Sequence, residues 1–107
     1  MTAALVVTAV ISIFVLTPVP AIAADDAQSL YQSKCAGCHA PDGGGTVAGK
    51  KLNTRDLRSS EVQQQTDAEL MGIVEKGKNK MPAYTGKLTE DQIKLMVGHI
   101  RSLAKKN

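Results

Sequence analysis

Two cysteines and a histidine lie within five consecutive residues, and this spacing limits what the chain can fold around. The segment reads Cys35-Ala36-Gly37-Cys38-His39. A C-x-x-C-H run is the attachment motif of c-type haem. Two thiols at this spacing can each add to one vinyl group of the porphyrin, and the next residue then presents its imidazole to the iron. The motif therefore predicts that Cys35 and Cys38 hold one haem covalently and that His39 is its proximal iron ligand.

Other uses of a cysteine pair fit the sequence less well. A redox pair of the thioredoxin type needs a surrounding βαβ pattern, which this sequence lacks. Zinc usually takes four protein ligands, and beyond residue 23 the Cys and His residues are only Cys35, Cys38, His39 and His99. A disulfide across so short a spacing closes a very small loop and stabilises little. The chain also has only two Tyr, one Phe and no Trp. A small domain so poor in aromatic residues usually needs a disulfide, a metal or a cofactor to stabilise its fold.

The N-terminal segment differs sharply from the rest and predicts a secretory signal peptide. Residues 3–16 carry no charge, two prolines follow, and Ala21-Ile22-Ala23-Ala24 supplies an Ala-x-Ala cleavage site. We therefore expect residues 1–23 to be removed by cleavage near Ala23/Ala24, residues 24–107 to form one cytochrome c domain, and the protein to reach the periplasm. The alternative is an uncleaved membrane anchor, because residues 3–22 approach the about 20 residues of a bilayer span and no basic residue precedes them.

Residues 24–107 predict an all-α domain with long loops. The predicted helices run from about Asp25 or Asp26 to Lys34, from Thr66 to near Gly77, and from Thr89 to residues 103–104. Acidic residues at the start favour the first helix, and capping boxes open the other two. The glycine-rich residues 35–56 predict irregular structure that passes close to something bulky. Residues 56–65 predict a short helical piece at most.

The sixth iron ligand decides whether such a centre carries electrons or binds a substrate. The candidates are Met71, Met81, Met96 and His99. Met71 and Met96 lie on apolar faces of predicted helices, where Met commonly fills the core, and His99 is expected to be a partly buried or surface histidine. Met81 lies in a loop before Pro82, far enough from His39 to approach the opposite haem face. Met81 is therefore the predicted distal ligand. A His/Met pair raises the reduction potential and leaves no open position on the iron, which predicts electron transfer rather than an enzyme.

These residues together make the sequence resemble the class I mono-haem bacterial cytochromes c, particularly the cytochrome c6-like and short periplasmic members. The shared features are Tyr31, the CAGCH motif, the glycine-rich loop, the Gly77…Met81-Pro82-Ala83-Tyr84 segment and the final Ile100-Arg101-Ser102-Leu103. The resemblance implies three or more helices wrapped around one covalently attached haem, with the terminal helices crossing nearly at right angles. It also implies thioethers at Cys35 and Cys38 and iron ligation by His39 and Met81.

Two positions depart from the family pattern, and both lie where the terminal helices cross. Ala27 stands where the family often has Gly, and His99 stands where an aromatic residue, often Tyr, is usual. The departures concern how closely the two helices approach each other. Neither position belongs to the predicted iron ligands.

The charge distribution predicts protein partners. The net charge is +3, which is too small to suggest nucleic acid. The lysines near the Met81 loop and in a second loop are Lys76, Lys78, Lys80 and Lys87, with Lys50 and Lys51. Around an exposed haem edge they would steer acidic redox partners; the alternative is an ordinary solvated lysine face.

We expect a soluble electron-transfer protein with no small-molecule substrate and, by default, a monomer. The alternatives are a haem subunit or membrane-anchored module of a larger oxidoreductase complex, and a haem enzyme or sensor with an open distal site.

Overall fold

The computed structural model of the chain describes residues 3–4, 8–16 and 24–104. Six helices follow one another along the described chain: α1 (Ala24–Lys34), α2 (Ala36–His39), α3 (Val47–Lys51), α4 (Ser60–Gln63), α5 (Asp67–Lys76) and α6 (Glu90–Ser102). The described part contains no strand beyond two isolated bridges, Lys78 with Met81 and Thr85 with Leu88. The predicted all-α class is confirmed.

Within the predicted signal peptide, residues 1–2, 5–7 and 17–23 lie outside the described residues, and these include Ala23 at the predicted cleavage site near Ala23/Ala24. Residues 8–16 form neither helix nor strand, and large apolar side chains such as Phe14 and Leu16 are exposed there. No helix in the described segments is both long and apolar enough to cross a membrane. The division into residues 1–23 and 24–107 therefore stays a prediction.

Helices α5 and α6 begin where their capping boxes predict, and α5 ends at Gly77 as predicted. The Thr66 hydroxyl accepts a hydrogen bond from the N–H of Glu69, whose carboxylate accepts from the N–H of Thr66 in return. Thr89 and Gln92 form the same reciprocal pair at the start of α6. Each box supplies hydrogen-bond acceptors for two N–H groups that the start of a helix otherwise leaves without partners.

The prediction that residues 35–56 are irregular throughout is wrong. They contain α2 and α3, of four and five residues. A helix shorter than two turns cannot display an apolar repeat of 3.6 residues, so hydrophobic periodicity does not reveal it. The short helical piece predicted within residues 56–65 is confirmed as α4, which Ser59 caps.

The core lies where α1 packs against α6 and α6 packs against α5. Tyr31 and Met96 are its largest fully buried side chains, each 1% exposed. Ala27 is only 7% exposed, and the ring of His99 lies 4.5 Å from the ring of Tyr31, so both family departures are accommodated inside the helix contact. Met96 is core packing as predicted, and the partly buried Met71 packs against the same core.

Candidate functional site

One cavity of about 320 Å³ contains all four residues predicted to hold a haem. Cys35, Cys38, His39 and Met81 lie in its wall. Among the other candidates for the sixth ligand, Met96 contributes to the wall, whereas Met71 and His99 do not. Much of the remaining wall is apolar and includes Leu52, Leu57, Val62, Leu70, Ile73, Val74 and Ile100. A largely apolar cavity with a few convergent polar groups is the usual form of a cofactor site.

The first helix and a later turn hold the Cys-His segment in place. The N–H of Cys35 donates to the carbonyl of Tyr31 (2.8 Å), so the segment continues directly from α1. The N–H of Thr46 donates to the carbonyl of Cys38 (2.9 Å), and the Thr46 hydroxyl donates to the carbonyl of Gly37 (2.9 Å). Sequence reasoning missed Thr46, although its place before α3 is that of an N-cap and was a usable signal.

His39 is half-buried, and its buried Nδ1 atom has no hydrogen-bond partner of normal geometry among the described residues. Burial lowers the pKa of His39, while the backbone of Arg55 raises it and opposes that effect. The ring is therefore favoured in its neutral form, the form that binds a metal ion. Burial also raises the pKa of Cys35 to about 11, so its sulfur is a protonated thiol at neutral pH before any reaction.

The Met81 segment follows α5 and turns back over the cavity. Gly77 ends α5 with a φ of 72°, and a Cβ atom there would lie 2.5 Å from the carbonyl oxygen of Met81. Lys78 and Met81 exchange backbone hydrogen bonds of 3.2 and 2.9 Å. These contacts make the turn that brings Met81 to the cavity, and only glycine fits at its first position without displacing the chain.

Some cavity residues carried no role in the sequence interpretation. Asn53, Thr54 and Arg55 lie in the cavity wall, and no motif or repeat in the sequence pointed to them. Tyr84 also lines the cavity; it was visible only as part of the family resemblance, without an assigned role. Three exposed lysines line the cavity: Lys34, Lys78 and Lys80. Four other exposed lysines lie outside its lining: Lys50, Lys51, Lys76 and Lys87.

The residues present fit a covalently attached haem. Both cysteines are free thiols at the cavity wall, and this is the state in which they can form thioethers. The unpartnered Nδ1 atom of His39 belongs to a ring favoured in its neutral form, as a metal ligand must be. Within the described segments no group of three or more His, Cys, Asp or Glu residues could hold a metal ion, so the zinc interpretation gains no support.

Comparison with known proteins gives the family. Residues 22–100 match the family described as cytochrome c oxidase, cbb3-type, subunit III. Cytochrome c6 of Synechococcus sp. is 36% identical over 90 residues, which are 82% of this chain and 79% of the relative. Cytochrome c6 of Thermostichus vulcanus is 32% identical over 98 residues, 90% of this chain and 86% of the relative. The chain belongs to the c-type cytochromes.

A solved c-type cytochrome, KustC0563, shares the fold. Its TM-score is 0.70 at 28% identity, over 74% of this chain and 98% of the other. The predicted class I architecture and the predicted haem are thus confirmed at the level of the family. As a c-type cytochrome, this protein carries covalently bound haem c and takes part in electron transfer.

Proposed function

We propose that the chain is an exported, soluble carrier of single electrons whose haem is held by Cys35, Cys38, His39 and Met81. The observation that supports this most directly is that one cavity brings these four residues together from two distant parts of the sequence. When bound, the haem supplies an iron atom that gains and loses one electron at a time.

Each of the four residues has a distinct role in this proposal. The sulfurs of Cys35 and Cys38 form thioether bonds, so the cofactor cannot dissociate. His39 would hold the iron as a neutral imidazole. The thioether of Met81 would be the second protein ligand of the iron, which would favour its reduced state and leave no position for a substrate. The apolar wall excludes water and further favours the less charged iron centre.

The exposed lysines at the cavity suit protein partners. Lys34, Lys78 and Lys80 place exposed positive charge along the wall of the cavity. We propose that they dock acidic surfaces of redox proteins, that the carrier acts as a monomer without a small-molecule substrate, and that residues 1–23 direct its export to the periplasm. The similarity to proteins named cytochrome c6 supports a carrier rather than an enzyme.

Optical spectra of the purified holoprotein test the ligand set. We expect a c-type haemochrome in pyridine, and in the oxidised protein the long-wavelength band of a methionine-ligated ferric haem. Met81→Ala should abolish that band, whereas Met71→Ala, which changes a methionine outside the cavity wall, should retain it. Haem c without the band in the unaltered protein, or a band that survives in Met81→Ala, would overturn ligation by Met81.

A second candidate function is that of a haem subunit held at a membrane. Two observations favour it: the matching family is described as a subunit of an oxidase, and residues 3–22 are almost wholly apolar. The mass of the protein isolated from its natural host separates the two functions. A chain beginning near Ala24 supports the soluble carrier, whereas a full-length chain in the membrane fraction supports the subunit. Rapid binding of carbon monoxide to the reduced protein would instead indicate an open distal site.

A further inference from the structure

The segment that carries Met81 is attached to α5 at both of its ends. At its start, the N–H of Gly77 donates to the carbonyl of Ile73 (2.8 Å). At its end, the N–H of Tyr84 donates to the carbonyl of Val74 (3.0 Å). Thr85 follows with a backbone and a hydroxyl hydrogen bond to the carbonyl of Glu75 (3.1 and 2.6 Å). These bonds fix the Met81 segment to α5. They do not fix it to residues 35–39, which would attach the haem.

One side-chain hydrogen bond links the Met81 segment to the end of α1 on the other side of the cavity. The hydroxyl of Tyr84 donates to the backbone carbonyl of Lys34 over 2.8 Å, between residues 50 positions apart. Among the described residues no other hydrogen bond joins residues 77–88 to α1. Lys34 is the last residue of α1, where carbonyl groups lack partners within the helix, so Tyr84 uses an acceptor that is otherwise free.

The position of Lys34 gives this bond its significance. Lys34 directly precedes Cys35, and Tyr84 follows Met81 by three residues. A contact between Tyr84 and Lys34 therefore fixes the distance between the residue that would attach the haem and the residue that would bind its iron from the far side. The bonds to α5 alone leave that distance free to change whenever α5 moves relative to α1.

We propose that Tyr84 is a positioning residue for Met81. Its hydroxyl holds the Met81 segment against the end of α1 and thereby opposes the release of Met81 from the ferric iron. The inference rests on the proposed function, because it takes Met81 as the sixth ligand. It goes beyond the identity of the iron ligands, because it makes Tyr84 the residue that controls how often Met81 leaves the iron.

Binding of imidazole to the oxidised holoprotein measures that opening. Imidazole can reach the iron only when Met81 has left, so its apparent affinity is proportional to the fraction of open protein. Tyr84→Phe removes one hydrogen bond and keeps the ring. We expect the apparent dissociation constant for imidazole to fall about fivefold, since one hydrogen bond changes an equilibrium by a factor of this order.

Tyr31→Phe is the matched control. The Tyr31 hydroxyl also donates to a backbone carbonyl, that of Ala40, over 2.7 Å, but on the His39 side of the cavity. Both variants should be less stable to denaturant, yet only Tyr84→Phe should bind imidazole more tightly than the unaltered protein. An unchanged affinity in Tyr84→Phe, or an equal gain in Tyr31→Phe, would overturn the role of Tyr84.

Met81→Ala separates this result from the proposed function itself. If the unaltered protein binds imidazole as readily as Met81→Ala does, Met81 is not the sixth ligand, and both proposals fail. If Met81→Ala binds imidazole far more tightly but Tyr84→Phe does not differ from the unaltered protein, ligation by Met81 stands and only the role of Tyr84 fails.

Discussion

Gly49 lies so close to residues 35–39, the segment that contains both cysteines and His39, that no side chain fits there. A Cβ atom added to it would lie 2.0 Å from the carbonyl oxygen of Cys38 and 2.8 Å from its carbonyl carbon. That carbonyl already accepts hydrogen bonds from the backbone and the hydroxyl of Thr46 (2.9 and 3.3 Å). The close approach thus packs α3 against the backbone of the motif that carries both cysteines.

Gly49→Ala should therefore disturb residues 35–39 and lower the free energy of unfolding by at least about 2 kcal/mol, as overpacking against a fixed backbone does. The fraction of purified chain that carries covalent haem should fall with it. Chemical denaturation and the ratio of haem absorbance to protein mass measure the two effects. Gly98→Ala is the control, because a Cβ atom on this exposed glycine of α6 meets nothing within 4 Å. Equal stability of Gly49→Ala and Gly98→Ala would contradict the argument.

The glycines also show a limit of sequence reasoning at this scale. Their number predicted a chain that passes close to something bulky. For one of them, Gly49, the structure identifies a neighbour within the protein, the backbone of Cys38. A glycine in the sequence indicates that space is scarce, but only the fold identifies the neighbour that takes up the space.

At the scale of elements, predictability follows helix length. α5 and α6 were predicted because Thr66 and Thr89 each begin a capping box and an apolar repeat follows over several turns. α2 and α3 were missed because helices of four and five residues depend on tertiary contacts rather than on a repeat. The contact of Tyr31 with His99 was likewise invisible, since it joins residues from opposite ends of the domain.

That contact makes the α1–α6 packing sensitive to pH. Burial lowers the pKa of His99, and its Nε2 atom is buried without a hydrogen-bond partner among the described residues. The folded protein therefore binds a proton at His99 less readily than the unfolded chain does. Stability should fall as the pH decreases through about 6.5, the ordinary histidine value, and this loss should be absent above it.

His99→Phe should remove this part of the pH dependence and stabilise the holoprotein by about 1 kcal/mol, because a buried nitrogen without a partner is replaced by carbon. Thermal unfolding of the holoprotein between pH 5 and pH 8 provides the measurement, with the unaltered protein beside the variant. If both proteins lose the same stability between those limits, the titrating group is not His99.

At the scale of the whole molecule, the site combines one local motif with distant chain segments. That Cys35, Cys38 and His39 lie together at the cavity wall could be predicted from five consecutive residues, because they form one C-x-x-C-H motif. Met81 needed a loop argument and the family resemblance. The rest of the cavity wall, including Leu52 to Arg55 and Tyr84, could not be predicted. A local sequence pattern does not indicate which distant segments will line the same cavity.

The distribution of lysines around that cavity gives the last prediction. The sequence alone did not distinguish lysines that face a partner from lysines that are merely solvated. The structure separates them: Lys78 and Lys80 line the cavity, whereas Lys50 and Lys51 lie at the end of α3 outside it. If acidic partners dock at the cavity, the location of the charge matters and not only its total.

Reversing Lys78 and Lys80 together to Glu should slow reduction by an acidic redox protein about tenfold at low salt, because long-range attraction then no longer steers the partner to the cavity. Reversing Lys50 and Lys51 together changes the net charge equally and should slow the reaction far less. Stopped-flow reduction at several salt concentrations compares the pairs, and both differences should shrink as salt screens the charges. Equal slowing by the two double variants would mean that only net charge matters and that the cavity edge is not the docking surface.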